Sequence, residues 1–432
     1  MLDRSRVMKV RGLILAVGLW AGGLGTAFSQ TLEVIPKRVL VDEPAVIRAK
    51  GLTPNEHISI QADLIDGADK PWSSQAEFVA DAQGAIDTSL QAPVQGSYDG
   101  VSATGLIWSM KPAEKHVAQY QGPRDLGTQL IQFRLIRNGQ RVANALVEQL
   151  NVADGVQQIK VEGQLHGVLF LPNTKERRPG VLVVGGSEGG VPRQKAAWLA
   201  SRGYAALALA YFRYEDLPPQ LERIPLEYFG RALAWMMQRP EISPDRLAVM
   251  GTSRGGELAL QLGAMFAEVK AVVAYVPANL RAGGCCRDYR IPPWTWHGVP
   301  LAFVFSPTQR RDLAATFPAV IPVEHTHGAI LVISGGDDGV WPSTEMSDAV
   351  VGRLKQDHFP YPYEHLNYPH AGHRAGRPQI VPTWHGTTRN PTSGREEYLG
   401  GKPDGDAQSS LDAIPKVLEF LRTSLTEHSS QN

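Results

Sequence analysis

Cysteine is almost absent from this 432-residue sequence: there are two, adjacent, at Cys285 and Cys286. Two cysteines cannot build a disulfide framework. In an oxidising compartment the pair could close a strained vicinal disulfide; otherwise it stays as two partly buried thiols in a loop. Net charge is also lacking. Lys plus Arg and Asp plus Glu each number 43, so no global basic field points to nucleic acid. There is no internal repeat and no H-E-x-x-H motif, and no cysteine stands near the histidines, so nothing indicates a metal or another cofactor. No apolar run reaches the ~20 residues of a spanning helix, so stable membrane insertion is not expected.

One short apolar run does occur, at the start. "MLDRSRVMKVRG" carries Arg4, Arg6, Lys9 and Arg11, and "LILAVGLW" and small residues ending in "TAFSQ" follow. A basic segment, a short apolar segment and a small-residue site make a secretory leader. Cleavage is expected after Ser29, with Ala27 and Ser29 at the small-residue positions, and Met8 is an alternative start. No cysteine follows to anchor a lipid. The expectation is an exported bacterial protein, periplasmic or secreted. Residues 1–29 hold four basic residues and one acidic residue, so the remainder is slightly acidic.

The chain is long enough for two domains. Residues 30–155 read as all-β. "VLVDEPAVIRAKGL", "ISIQADLID", "QAEFVADAQGAIDT" and "LIQFRLIRNGQRVANALVEQLNV" are alternating runs punctuated by Gly, Pro, Asn and Asp. That pattern predicts an immunoglobulin-like β-sandwich. From 156 to 426 strand and helix alternate. "GVLVVGG", "YAALALAY", "RLAVMG", "VKAVVAYVP" and "GAILVISGG" read as buried strands. "RQKAAWLASRG", "PLEYFGRALAWMMQ", "GGELALQLGAMFA", "STEMSDAVVGRLKQ" and "LDAIPKVLEFLRTSL" read as helices. This is the pattern of a doubly wound α/β sheet with helices on both faces. Residues 280–328 and 374–408 read as long loops of the kind that form lids and binding walls.

Gly251-Thr252-Ser253-Arg254-Gly255 matches G-x-S-x-G, with a buried strand before it and a helix after it. A strand that turns sharply into a helix exposes the serine at the apex, and small neighbours let the two segments pass closely. Ser253 is therefore the candidate nucleophile. A serine needs a base, and the base an orienting acid, in the chain order Ser, acid, His. "ILVISGGDDGVWP" supplies Asp338, with Asp337 as the alternative. "YEHLNYPHAGHRAG" supplies His373, after the small pair Ala371-Gly372, with His370 as the fallback and His365 also nearby. An oxyanion needs two N–H donors. One is expected from the backbone of Arg254. The other is expected from "GGSEGG", where Ser187, Glu188 and Gly189 are not distinguishable from sequence. Glu188 is a charge near the site, expected either to contact Arg254 or to be solvated. Trp108, in "GLIWSM", reads as core or as part of the active-site mouth. Leu217 reads as acyl-channel wall or as connector. Arg281, Arg287 and Arg290 lie close together in a loop, and a solvated face is the plainer reading.

Longer segments carry a family likeness. "ALALAYFRYEDLPPQLERIPLEYFGRALAWMMQRPEI" followed by "VMGTSRGGELALQLGAMF" resembles the acyl-CoA thioesterases related to bile acid-CoA:amino acid N-acyltransferase. "GGDDGVWPS" and "NYPHAGH" resemble the acid and histidine segments of that family. "DEPAVIRAKGLTPNEHISIQA" and "GLIWSMKP" resemble its N-terminal β-sandwich, and "EYLGGKPDGDAQSSLDAIPKVLEFL" its C-terminal segment. The catalytic half is also similar to dienelactone hydrolases. The resemblance implies an α/β-hydrolase that cleaves acyl thioesters, with Ser253, Asp338 and His373 as the triad and a small-molecule acyl thioester or ester as substrate. Members that conjugate amino acids tend to carry cysteine at the nucleophile position, so the serine favours hydrolysis over acyl transfer to an amine. "GGCCRDYRIPPWTWHG" departs from the eukaryotic members. An exported enzyme would not meet cytosolic acyl-CoA, so carboxylesterase or peptidase activity on another substrate stays open, as does a binding protein on a dead hydrolase scaffold.

Overall fold

The structure is a computed structural model that describes residues 29–114, 117–285, 287–305 and 317–426. The leader expected over 1–29 lies outside the described residues up to residue 28, and so does Cys286. Cys285 is disulfide-bonded.

The first unit is two sheets around one core. A three-stranded sheet joins Thr31–Ile35, Val46–Lys50 and Ile86–Asp87. A seven-stranded sheet is built on Gln140–Leu150, Gln129–Arg137, His57–Ile65 and Pro71–Val79. Alternation decides which side faces in. Along His57–Ile65, Ile58, Ile60, Ala62 and Leu64 are buried while Ser59, Gln61 and Asp63 turn outward. Trp108 lies in this core, 7% exposed, with its ring 5.6 Å from that of Tyr98 and its Nε1 donating to Ser102 Oγ.

The second unit holds one eight-stranded sheet: β1 (Gln157–Val161), β2 (His166–Leu171), β3 (Arg178–Val184), β4 (Ala205–Ala210), β5 (Ile242–Thr252), β6 (Val269–Tyr275), β7 (Ala329–Gly335) and β8 (Tyr363–Tyr368). Their spatial order is β1-β2-β4-β3-β5-β6-β7-β8. From β4 through β8 every neighbouring pair is parallel. The two leading strands are antiparallel, which strand–helix alternation does not reveal. A short turn at 162–165 joins β1 to β2, and a connection that short permits only a hairpin.

The central strands are apolar along most of their length because both sheet faces are covered. Leu182, Val184, Val249, Val272 and Val332 face one side, with α2 (Glu227–Met237), α3 (Arg254–Met265) and α4 (Ser343–Gln356). Val181, Val183, Met250, Val273 and Leu331 face the other, with α1 (Arg193–Ser201) and α5 (Pro403–Ser424). Helix α5 begins at Pro403, inside the segment expected to be loop until 408. Proline at the first helical position costs no hydrogen bond, and Asp404 and Asp406 favour the positive end of the helix dipole.

The two units are bonded together. Asp42, on the sandwich, is buried and accepts from Trp198 Nε1 at 2.7 Å and from both edges of the Arg202 guanidinium, at 2.6 and 2.8 Å. Gln149 Nε2 donates to the Ile380 carbonyl at 2.8 Å, and Thr383 bonds the Trp108 carbonyl. The stretch that follows β8 is thus held between both domains. Among the described residues no helix is long and apolar enough to cross a membrane.

Candidate active site

Ser253 ends β5 and starts α3, with φ 58° and ψ −121°. A non-glycine residue held there costs ~1–3 kcal/mol, and such strain collects at functional sites. The neighbouring glycines make the turn possible by having no side chain. A Cβ on Gly251 would lie 1.9 Å from the Gly255 carbonyl oxygen, and one on Gly255 2.4 Å from that of Gly185. The serine hydroxyl stands above the C-terminal edge of the sheet, where the loops after β3, β5, β7 and β8 converge.

His373, on the loop after β8, places Nε2 2.8 Å from Ser253 Oγ. Its Nδ1 meets Asp338 at 2.8 Å (Oδ2) and 3.0 Å (Oδ1). Two carboxylate oxygens at Nδ1 require the ring proton there, which leaves Nε2 as an acceptor facing the hydroxyl. The Asp338 carboxylate is only 1% exposed, and its Oδ1 also accepts from the N–H groups of Val340 (2.9 Å) and Trp341 (3.2 Å). The Trp341 ring stands edge-on to the imidazole, with centroids 5.5 Å apart, and its Nε1 is anchored on the Val276 carbonyl. The alternatives point elsewhere. Asp337 and His370 are exposed, and His365 is bonded to Ser334 and Asp348. The strand Glu396–Glu397 and the residues after it tie these loops together: the Leu399 carbonyl accepts from His373 and Gly339, and Gly401 donates to Asp337. Asp406, on α5, accepts from Gly372 at 2.8 Å and fixes the turn that presents the histidine.

Arg254 opens α3, and N–H groups in a helix's first turn have no intrahelical acceptor. In the loop after β3 the residue against the serine is Gly186, one position before the expected Ser187, Glu188 and Gly189. A Cβ on Gly186 would sit 3.4 Å from Ser253 Cβ. Its N–H donates to Glu188 Oε1 at 3.0 Å. Ser187 is held from outside, its Oγ accepting from Asn390 and its carbonyl from Thr392. Gly189 takes a left-handed φ of 67°. Of the two alternatives for Glu188, the contact with Arg254 is not made, and the Glu188 side chain is exposed. The Arg254 guanidinium turns away, to Glu257 at 3.1 Å and the Ala282 carbonyl at 2.8 Å. Glu257 sits one helical turn along α3 and is fully buried, so it is the stronger partner.

A cavity of about 520 Å³ opens beside the histidine. Its walls come from His373 and the residues after it, from Glu188 and Gly189, from the start of α1, and from Gln119–Gly122 of the sandwich. Neither Trp108 nor Leu217 lines it. Leu217 packs on the core of the catalytic domain. Four lining cations carry no motif of their own: Arg193, Lys195, Arg374 and Arg377. Burial lowers the pKa of Lys195 to about 7 and that of Arg374 to about 9, and burial lowers Arg377 as well. No spacing rule marks such residues, because the fold alone brings α1 and the histidine loop together. Of the loop arginines, Arg281 is buried and donates to Gln261 of α3 and to the Ala302 and Pro318 carbonyls, whereas Arg290 is exposed on Asp288.

The one group among the described residues with metal-ligand spacing is His166, Glu215 and Asp216, and it lies at the surface. Lys160 already pairs with Glu215 at 2.8 Å, and His166 bonds the same carboxylate.

Comparison with known proteins adds to this geometry. Residues 224–427 match the family model "BAAT / Acyl-CoA thioester hydrolase C terminal", and residues 42–163 match "Acyl-CoA thioester hydrolase/BAAT N-terminal region". Human bile acid-CoA:amino acid N-acyltransferase is 32% identical over 422 residues, 91% of this chain and 97% of that one. Mouse acyl-coenzyme A thioesterase 6 is 29% identical over 411 residues, 91% of this chain and 96% of its own. A dienelactone hydrolase-like promiscuous phosphotriesterase from metagenomic libraries aligns with 63% of the chain and 98% of its own length, at 16% identity and a TM-score of 0.40.

Proposed function

The chain belongs to the acyl-CoA thioester hydrolase/BAAT family, and on that premise we propose that it is a serine hydrolase that cleaves acyl thioesters through an acyl-enzyme on Ser253. The observation that carries this reading is the continuous hydrogen-bonded chain from Ser253 Oγ through His373 to Asp338.

Ser253 Oγ attacks the acyl carbonyl as His373 Nε2 takes its proton. The carbonyl oxygen becomes an oxyanion and is met by the N–H of Arg254 and by an N–H of the loop after β3. The tetrahedral adduct collapses, the C–S bond breaks, and the proton on His373 passes to the leaving sulfur. Water then attacks the acyl-serine with His373 as base, and the acid leaves as Ser253 regains its proton. Asp338 holds the imidazole in the productive tautomer and offsets the cation that forms. Gly186 N–H is bonded to Glu188 in the resting site, so it serves as the second donor only when that carboxylate swings aside. Export past the inner membrane is part of the same proposal, and it favours thioesters and esters found outside the cytoplasm.

Thiol release from acyl thioesters of increasing chain length tests this, wild type beside Ser253→Ala. Release that disappears in the variant supports the reading, and undiminished release in the variant overturns it. A second reading is favoured by the 32% identity to an N-acyltransferase: transfer of the acyl group to an amine. Product analysis with added glycine or taurine separates the two, because transfer yields the amide conjugate in excess of the free acid.

A further inference from the structure

The cavity beside His373 carries more positive charge than any neighbour offsets. Lys195, Arg374, Arg377 and Arg193 line it, against the single carboxylate of Glu188. Arg193 is served at its rim, by Gln158 and by Asp125 at 4.0 Å. The other three are not. Among the described residues no carboxylate lies within ion-pair distance of Lys195 Nζ or of either guanidinium, and neither guanidinium donates a hydrogen bond to the protein. Lys195 has only the Thr252 hydroxyl and the face of Tyr275, 3.9 Å from the ring centroid. The Tyr275 hydroxyl on the same wall is buried with no hydrogen-bond partner.

This arrangement is expensive. An ion taken out of water without a partner costs several kcal/mol, and proteins normally pair or hydrogen-bond such groups. Here three cations crowd one wall: Arg377 acts against the charge on both Lys195 and Arg374, and the acidic groups that favour these charges, Glu188 for Lys195 and the buried Asp406 for the two guanidiniums, stand beyond ion-pair distance. Salt bridges elsewhere show that the fold does supply carboxylates where it needs structural pairing, as Glu324 does for Arg353. The wall is also not a mobile surface. Arg374 and Arg377 flank the short turn after His373, which Asp406 and Ser409 of α5 hold by bonds to Gly372 and Gly376. The guanidiniums are pre-positioned and open to the cavity, and a planar fork of that kind matches an oxyanion through paired hydrogen bonds.

We propose that this cavity is an anion-binding subsite: Lys195, Arg374 and Arg377 receive an oxyanion group, a carboxylate or phosphate, carried by the substrate, so the enzyme selects anionic acyl compounds over neutral ones. The placement rests on the hydrolase reading, because His373 lines the cavity and faces Ser253 as well. The anion belongs either to the far end of the acyl chain or to the leaving group. The three cations are specificity-determining residues and do not touch the reacting atoms.

Two measurements on the full chain test this. In the first, kcat/KM is compared for the glutaryl and pentanoyl thioesters of N-acetylcysteamine, which differ only in the terminal carboxylate, and for pentanoyl-CoA, where the anion sits on the leaving group. One of the two anionic substrates is expected to exceed the neutral one by about tenfold or more, roughly the 1.4 kcal/mol of one added charge-assisted contact. The excess should fall toward one in Arg374→Gln and in Arg377→Gln, and survive in large part in Arg377→Lys, which keeps the charge if the glutamine variant folds poorly. Which anionic substrate shows the excess identifies the source. The second measurement needs no turnover: glutarate should raise the melting temperature of the Ser253→Ala protein, its neutral diamide should not, and Arg377→Gln should abolish the difference. Equal rates for all three thioesters together with no difference between glutarate and the diamide overturn the subsite, while Ser253-dependent cleavage of the pentanoyl thioester would leave the hydrolase reading standing. If no thioester is cleaved, the hydrolase reading falls and the glutarate shift alone decides the subsite.

Discussion

Asp338→Asn is the change whose consequence the geometry determines most fully. The side chain keeps its shape, so the question is which way the amide turns. Asp338 Oδ1 accepts from two backbone N–H groups, of Val340 and Trp341, at 2.9 and 3.2 Å. An amide NH2 cannot accept, so the amide oxygen must stay at that position. Its NH2 then occupies the Oδ2 site, 2.8 Å from His373 Nδ1. Two donors cannot face each other there, so the ring proton moves to Nε2 and points at Ser253 Oγ. The imidazole now donates where it has to accept. In a serine–histidine–aspartate site this wrong-tautomer change lowers turnover ~10⁴-fold, which corresponds to ~5 kcal/mol of lost transition-state stabilisation. The assay is steady-state thioester hydrolysis, with the melting temperature of the same preparation to show that the isosteric variant is folded. A folded Asp338→Asn protein within about tenfold of wild type would refute the tautomer reasoning and with it the role given to Asp338.

Other outcomes follow from single contacts. Gly251→Ala puts a methyl 1.9 Å from the Gly255 carbonyl, so backbone must move; a loss of at least ~1–3 kcal/mol is expected by urea titration, together with lost activity, and an unchanged midpoint would contradict the close-passing turn. Asp42→Ala takes the buried acceptor from the Trp198 N–H and leaves Arg202 with only the half-exposed Glu43, so ~1–3 kcal/mol of destabilisation is expected in the same titration. Lys195 has its pKa lowered from 10.5 to about 7, chiefly by burial, among Thr252, Tyr275, Arg377 and Glu188. Between those values the unfolded chain binds the proton and the folded chain does not, so this group makes stability rise with pH from about 7 toward 10.5. Lys195→Met should remove that rise from a pH series of melting temperatures, and an identical slope in the variant would show that Lys195 is not the group responsible.

The sequence was informative where local chemistry repeats and silent where distant segments meet. Buried runs such as "VLVV" and "AVVAY" could only be covered strands, and the glycines around Ser253 already required a sharp turn. The choice of Asp338 over Asp337 and of His373 over His370 came from spacing, and the structure places the chosen pair within hydrogen-bond distance and leaves the other two exposed. Gly186 was missed because four glycines in "GGSEGG" look alike until the serine's position is known. Trp108 read as core or mouth, and it is part of the sandwich core, against the Tyr98 ring with its N–H on Ser102. Arg254 pairs with Glu257, one turn along its own helix, and Glu188 takes the exposed alternative of the two that the sequence left open. Lys195 and Arg377 are 182 positions apart, and no sequence pattern could have joined them in one cavity.

The central claim is that the acyl group rests on Ser253. The most direct measurement is peptide mass spectrometry on enzyme quenched with acid during turnover of a slow acyl thioester. The expected result is a mass increase equal to the acyl group, confined to the peptide holding Ser253 and absent in Ser253→Ala. An acyl adduct on another residue, or undiminished thioester hydrolysis by Ser253→Ala with no adduct at all, would contradict the account.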